Sequence, residues 1–225
     1  LVHIRSRTSE GQDGSAPRRG RRTADAPAGR DALLRAATRC FADNGFEAAS
    51  VRMIASRAGA APNLVAVHFG NKEGLWLACV DLLTETFAPN IAALTAMAND
   101  AKTPLRERLR LAIGMTAGYY DRHPDLRGFV ARASVEPPPR SDIVSERLLK
   151  PLYQAACPLI QQGIDAGIIP IGDPAIVFVI LNLSLGQPDR VASALALLSP
   201  GHPVDETASR MGEAMAQLLL GSDGG

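Results

Sequence analysis

The amino-acid sequence predicts an all-α protein, with a small N-terminal three-helix domain followed by a larger helical bundle. Apolar residues recur at helical spacing from Arg30 almost to the end of the 225 residues, and no segment alternates apolar and polar residues convincingly, as a half-buried strand does. Aromatic residues make up only 4% of the composition, while Ala and Leu are abundant. This composition favours helices packed through aliphatic side chains, and we expect about nine of them.

The first three predicted helices are short and closely spaced. The first covers about residues 30–44 and ends at Gly45, which is suited to a left-handed C-terminal position. Ser50 is a good N-cap for the second helix, and Gly59 follows that helix. The third covers about residues 62–68. The apolar stripe of the first helix consists of Leu33, Leu34, Ala37, Cys40 and Phe41.

The remaining predicted helices form the larger bundle. Pro89 is expected to kink or end the fourth helix, and Pro151 and Pro158 are expected to bend the seventh. Asn71 can cap the fourth helix. The other predicted elements are a fifth helix at about 104–122, a short sixth helix reaching about Ser134, a seventh at about 141–166, an eighth opened by Asp173–Pro174, and a last helix from Asp205.

The chain therefore divides into four predicted parts. They are a disordered basic arm at 1–29, a small three-helix domain at 30–75, a larger helical bundle at 76–221, and a tail at 222–225. The formal net charge is +4 over residues 1–30 and only +1 over the whole chain. A concentration of positive charge at one end suits a polyanion partner, but a solvated tail without a partner explains it equally well.

Several classes of function find no support in the sequence. Three cysteines and four histidines share no metal-ligand spacing, so we expect neither a metal site nor a cofactor. Enzyme motifs such as a Gly-rich phosphate loop are missing, so we expect no catalytic activity. The most apolar run, 175–185, is too short to span a membrane, and the start of the chain lacks a signal sequence. A cytoplasmic protein is the simplest interpretation.

The most informative segment runs from Ser50 to Ala60 and has the features of a helix-turn-helix. Two helices that cross steeply need a small residue at the crossing, which Ala55 supplies. Four residues later the tight turn needs a positive φ, which Gly59 supplies. Because this pair lies between two short amphipathic helices, the segment predicts a DNA-binding unit.

Residues 30–83 resemble the TetR family of regulators. The resemblance rests on Phe41–Phe46, Ser50–Ala55, Ala58–Gly59 and His68–Leu75 in this order, together with the pattern of the first helix. It implies a homodimer that places two N-terminal domains in successive major grooves of double-stranded DNA. It also implies a small-molecule effector pocket in the C-terminal half, dimerisation through the last two helices, and action as a repressor.

Eight residues are predicted to contact the DNA operator. Ser50, Arg52, His68 and Lys72 are expected to contact the phosphate backbone. Asn63 can pair with adenine, and Leu64, Ala66 and Val67 can touch thymine methyl groups, so we expect A·T-biased or modest base reading.

Three of the four backbone contacts have a simpler alternative. Ser50 can be a plain helix cap, Arg52 a solvated side chain, and His68 a packing residue beside Phe69. The basic cluster Arg18–Arg22 can add phosphate or minor-groove contacts.

The residues predicted to line the effector pocket are Phe87, Met115, Tyr119 and Phe129. Ordinary core packing is an alternative explanation for each of them. The third helix is also more apolar than the reading helix of the family usually is. This difference leaves open a second function, a helical protein-interaction module that has lost specific DNA binding.

Overall fold

The computed structural model describes residues 26–199 and 207–221, and all regular structure in these two ranges is helical. The predicted all-α fold class is therefore confirmed. The helices are α1 Ala26–Ala48, α2 Val51–Arg57, α3 Asn63–Phe69, α4 Lys72–Asn99, α5 Leu105–Arg122, α6 Pro124–Ala133, α7 Arg140–Val144, α8 Lys150–Asp165, α9 Pro174–Leu185, α10 Pro188–Leu198 and α11 Thr207–Leu220.

The first helix is longer than predicted, and one helix was missed. Helix α1 begins at Ala26 instead of Arg30, and it continues to Ala48 across a kink at Gly45, where φ is 75°. Helix α10 was not predicted as a separate element. The chain breaks before it at Gln187–Pro188, between Gly186 and Asp189, which is a local signal that the sequence-based prediction did not use.

Pro89 is expected to kink or to end α4. The second expectation is wrong, because the helix continues for ten residues beyond Pro89, to Asn99. Proline removes one intrahelical hydrogen bond. Tertiary packing on both sides of it holds the helix together, since Phe87 and Leu94 are both buried in the core.

The predicted seventh helix is observed as α7, a π-helical turn at Ser145–Leu149, and α8. The wide turn lies directly before Pro151, and Lys150 donates its backbone N–H to the carbonyl of Ser145, five residues earlier. An α-helical turn would bring the proline ring against the Arg147 carbonyl, and the wider turn relieves that contact.

An aromatic cluster joins the N-terminal domain to the body. Phe129 on α6 lies with its ring centroid 5.7 Å from that of Trp76 on α4 and 6.3 Å from that of Phe41 on α1. The ring of Phe46 stacks on Phe41 at 5.9 Å. Helix α6 packs chiefly against α1, so this cluster fixes the first helix to the body.

The body is a bundle in which α8 packs against α4 and α9, and α11 packs against α5. The burial of one of its cations, Arg108, is explained by helix capping. The Arg108 guanidinium donates to the carbonyl of Met97 at 2.8 Å and to Oε1 of Gln162 at 3.0 Å. It thereby gives the Met97 carbonyl, near the C-terminus of α4, a second donor beside the backbone N–H of Asp100 at 3.4 Å.

Within the described residues, α4 is long and apolar enough in composition to cross a membrane. Leu75, Trp76, Cys79, Val80 and Leu83 are all buried in the protein core. This packing identifies α4 as the core helix that links the two parts of the chain.

Some sequence-based predictions fall outside the described residues. They are the basic arm up to residue 25 with its Arg18–Arg22 cluster, the start of the last helix at Asp205, and the tail at 222–225.

We predict that Phe129→Ala lowers the free energy of unfolding by about 3–5 kcal/mol, because it removes a fully buried ring from the aromatic cluster. Val135→Ala is the control, since Val135 is 76% exposed, and its expected effect is below about 0.5 kcal/mol. Urea denaturation at fixed protein concentration measures both. Equal effects of the two substitutions would show that the cluster does not stabilise the fold.

Candidate nucleic-acid interface and ligand cavity

The turn between α2 and α3 has the geometry that the sequence predicts. The Ser50 hydroxyl accepts a hydrogen bond from the backbone N–H of Met53 at 3.1 Å and so caps α2. Gly59 has a φ of 64°, and the backbone N–H of Ala60 donates to the carbonyl of Ala55 at 2.9 Å. Ala55 is fully buried, as a residue at a close helix crossing must be.

The outer face of α3 is exposed and carries little polarity. Asn63 and Ala66 are exposed, and Val67 is 70% exposed. On the opposite face Val65 is buried in the core. Val65 is thus the one fully buried side chain of α3, while three predicted base-reading residues remain available to a partner.

Two other predicted contact residues on α3 lie partly in the protein. Leu64 is half-buried and packs against the core, so its side chain is less available than those of its neighbours. His68 is half-buried, and its ring lies edge-on to Phe69 with centroids 6.1 Å apart. For His68 the structure thus shows the packing role that the sequence left open, and its phosphate contact stays a prediction.

The remaining predicted backbone contacts differ in their availability. Ser50 and Arg52 are exposed at the start of α2. Lys72 is half-buried; its Nζ donates to the carbonyl of Glu47 at 3.3 Å and lies 4.3 Å from the centroid of the Phe46 ring. Arg52 is therefore the better placed of the two cations to meet a phosphate.

Phe46 forms the centre of a junction that sequence reasoning missed. Cations lie against its ring from two elements, Lys72 of α4 at 4.3 Å and the Arg140 guanidinium of α7 at 4.0 Å. Its backbone N–H donates to Oε1 of Glu136 at 2.6 Å. The preceding residue, Gly45, leaves room for the side chain of Arg132, which a Cβ there would meet at 2.8 Å.

Arg140 holds this junction together electrostatically. Its Nε lies 2.7 Å from Glu136, its Nη2 lies 2.8 Å from Glu47 of α1, and its Nη1 lies 4.0 Å from Glu73 of α4. The side chain is only 13% exposed. A rigid, planar guanidinium can serve three carboxylates and a ring at once, so one residue of the body binds both α1 and α4.

The body contains a small apolar cavity of about 50 Å³ between α4, α5, α8, α9 and α11. Aliphatic side chains make up most of its wall. The lining residues include Leu94 of α4, Ile113 of α5, Leu159 of α8, Leu181 of α9 and Leu219 of α11. This cavity is the best candidate for an effector site in the described part of the chain.

The four residues predicted to bind the effector do not line this cavity. Phe129 belongs to the aromatic cluster at the domain junction. Phe87 and Tyr119 pack on each other with centroids 4.1 Å apart, and Met115 lines a surface groove beside α5. Effector binding by these four residues therefore stays a prediction, separate from the cavity that the structure shows.

Tyr120 and Asn182 form the polar pair closest to the cavity. The Tyr120 hydroxyl donates to Oδ1 of Asn182 at 2.9 Å, and Asn182 itself lines the cavity. Burial raises the pKa of Tyr120 to about 12, so its hydroxyl stays protonated at neutral pH. The pair is therefore an uncharged hydrogen-bonded contact between α5 and α9.

Comparisons with known proteins agree with this geometry. Residues 33–79 match the family model described as bacterial regulatory proteins, tetR family. The HTH-type transcriptional repressor AcnR of Corynebacterium glutamicum is 43% identical over 49 residues, which are 22% of this chain and 26% of that protein. The HTH-type transcriptional repressor NicS of Pseudomonas putida is 28% identical over 106 residues, 47% of this chain and 48% of that protein.

The chain thus spans at most about half the length of these curated relatives. Among solved structures, the TetR family transcriptional regulator PfmR from Thermus thermophilus superposes with a TM-score of 0.64 at 19% identity. The superposition covers 87% of this chain and 98% of that one. The likeness therefore extends over both the N-terminal domain and the body as a shared fold.

We predict that Gly59→Ala lowers the free energy of unfolding by about 1 kcal/mol, because a Cβ is disfavoured at a φ of 64°. A steric clash does not cause this loss of stability, since no atom lies within 4 Å of a Cβ added at Gly59. Gly114→Ala on α5 is the matched control: it also has open space but a helical backbone, and it should raise the same free energy by about 0.5–1 kcal/mol. Effects of the same sign in denaturant titrations would contradict the role of the turn.

Proposed function

We propose, from the premise that residues 33–79 form the N-terminal domain of the TetR family, that the chain is a dimeric, ligand-responsive transcriptional regulator. It binds a palindromic operator in double-stranded DNA and is released by a small-molecule effector. The observation that carries this proposal is the α2–turn–α3 unit, which is capped at Ser50, turned at Gly59 and exposed along the face of α3. It acts in the cytoplasm, where its operator is accessible.

Few side chains of α3 read the bases in this proposal. Asn63 is the one amide on the exposed face of α3, and it can bond adenine in two places. Ala66 and Val67 supply methyl groups for thymine contacts. Phosphate contacts from Ser50 and Arg52 then provide most of the affinity and set the register on the duplex.

Dimerisation through the last part of the chain is supported by an exposed apolar stripe on α9. Ile176, Val179, Ile180 and Leu183 recur at helical spacing and are 37–61% exposed. Helix α11 packs beside α9 and carries Leu218, which is 76% exposed. Pairing of these faces between two copies buries the stripe and sets the separation of the two α3 helices, which a palindromic site needs.

The route from effector to DNA is proposed to run along α4. This helix begins at Lys72, beside the Phe46 junction, and contributes Leu94 to the wall of the cavity. A cavity of about 50 Å³ is well below the roughly 300–1,000 Å³ of ordinary ligand pockets. An effector must therefore push its walls apart, and the displaced α4 then changes the separation of the two reading helices from about 34–36 Å.

Repression is favoured over activation because AcnR and NicS are both named transcriptional repressors. A dimer that occupies a promoter blocks transcription without any further activity. A protein-interaction module without DNA binding remains the rival, because α3 is apolar, and the next experiment separates the two.

We predict that the full chain binds duplex DNA with a strong salt dependence and that Arg52→Gln reduces the slope of log affinity against log salt by about 0.9 per protomer, as expected for the loss of one phosphate contact. Lys102→Gln is the control, because Lys102 is an exposed cation in the α4–α5 connection, far along the chain from α2. Fluorescence anisotropy at several salt concentrations measures both slopes. A chain without measurable DNA affinity would support the interaction module instead.

We also predict that deletion of residues 1–25 weakens DNA binding and lowers its salt slope, because the deleted segment carries six arginines and three carboxylates. The same anisotropy titration applies. An unchanged affinity and an unchanged slope would show that residues 1–25 do not contribute to DNA binding.

A further inference from the structure

The wall of the apolar cavity carries no charged side chain among the described residues. Its lining consists of aliphatic residues with one ring, Phe178, and two polar side chains, Thr116 and Asn182. The Thr116 hydroxyl already bonds the carbonyl of Ala112 at 2.9 Å. A carboxylate or an ammonium group placed here would lose its hydration without gaining a counter-charge, so the cavity selects against charged molecules.

Asn182 has hydrogen-bonding capacity left over. Its Oδ1 accepts from Tyr120 at 2.9 Å, and its Nδ2 donates to the carbonyl of Phe178 at 3.0 Å. A primary amide has two N–H donors. One Nδ2 hydrogen therefore has no partner within the part of the chain that the structure describes, and it belongs to a side chain in the cavity wall.

The position of Asn182 is unusual for its helix. Helix α9 is almost wholly apolar, and only Asn182 and Ser184 interrupt it. Asn182 and Phe178 line both the cavity and a surface groove of about 190 Å³ between α6 and α9. The amide thus lies at the boundary between an apolar interior and a route from solvent.

We propose that the cavity binds an uncharged, largely aliphatic molecule with one acceptor oxygen, which Asn182 Nδ2 bonds while the hydrocarbon part occupies the space between Leu94, Ile113 and Leu159. This inference rests on the proposed function, since it names the class of effector for the same cavity. Entry passes between Phe178 and Asn182. To hold such a molecule the cavity must enlarge, through changes of rotamer among the Leu and Ile side chains of its wall and small helix shifts.

The test compares two probes of equal chain length on the full chain, 2-octanone and octanoate, at about pH 8, where the carboxylate is ionised. The ketone should raise the melting temperature in a saturable way. Octanoate should bind at least ~100-fold more weakly, because its charge is buried without a partner. Binding of octanoate within tenfold of the ketone would overturn the proposal.

Two variants locate the binding site. Asn182→Leu should weaken binding of 2-octanone by about 3–10-fold through the lost hydrogen bond. Ala156→Leu adds bulk to a buried lining position and should abolish the saturable shift, whereas the matched Ala92→Leu on an exposed position of α4 should leave it unchanged. An Asn182→Leu protein that binds the ketone as tightly as the parent would contradict the role of the amide. This comparison does not require Ala156→Leu to fold.

DNA affinity is measured separately by anisotropy on the same proteins, so the two proposals can fail independently. Saturable ketone binding by a chain that does not bind DNA would leave this inference standing and overturn the regulator. DNA binding by a chain that ignores 2-octanone but binds octanoate would leave the regulator standing and overturn this inference.

Discussion

The packing of Phe46 between two cations is the contact on which the link between the two parts of the chain depends. Lys72 begins α4, and Arg140 begins α7, so a ring from the end of α1 connects the N-terminal domain to two elements of the body. Glu47, Glu73 and Glu136 neutralise Arg140. Any movement of α4 or α7 relative to α1 must therefore rearrange this junction. The junction thus connects the positions of the N-terminal domain and the body.

Helix α4 contributes residues to both the apolar cavity and the Phe46 junction. Leu94 faces the cavity near one end of α4, and Lys72 reaches Phe46 at the other. At about 1.5 Å of rise per residue, the 22 positions between them span about 33 Å. Pro89 does not interrupt α4, so the helix is continuous from the junction to the cavity, as the proposed function requires.

Local signals predicted much of this architecture correctly. Ser50, Asn71 and Asp173 each cap the helix that the sequence assigned to them, and Gly45 and Gly59 each have a positive φ. These features depend on residues within four positions of each other, so a sequence contains all the information. The π-helical turn and α10 were missed because their signals, Pro151 and Pro188, compete with strong helical periodicity around them.

The sites themselves were harder to predict. Arg140 meets Glu47, 93 positions away, and Tyr120 meets Asn182, 62 positions away, and neither pairing leaves a local pattern. The exposed face of α3 was easier to predict, because Val65 is the one fully buried residue of this short helix and most of its neighbours are left on the surface. The cavity residues were not found, because helical periodicity shows which face points inward and not which inward side chains leave a gap.

Selection of bound fragments from genomic DNA, followed by sequencing, tests the central claim most directly. The account predicts enrichment of a few palindromic sites whose half-sites are spaced by about one helical turn, roughly 34–36 Å, and loss of that enrichment when the reading amide is removed in Asn63→Ala. Recovery of fragments without a shared sequence, or an unchanged set with Asn63→Ala, would contradict it.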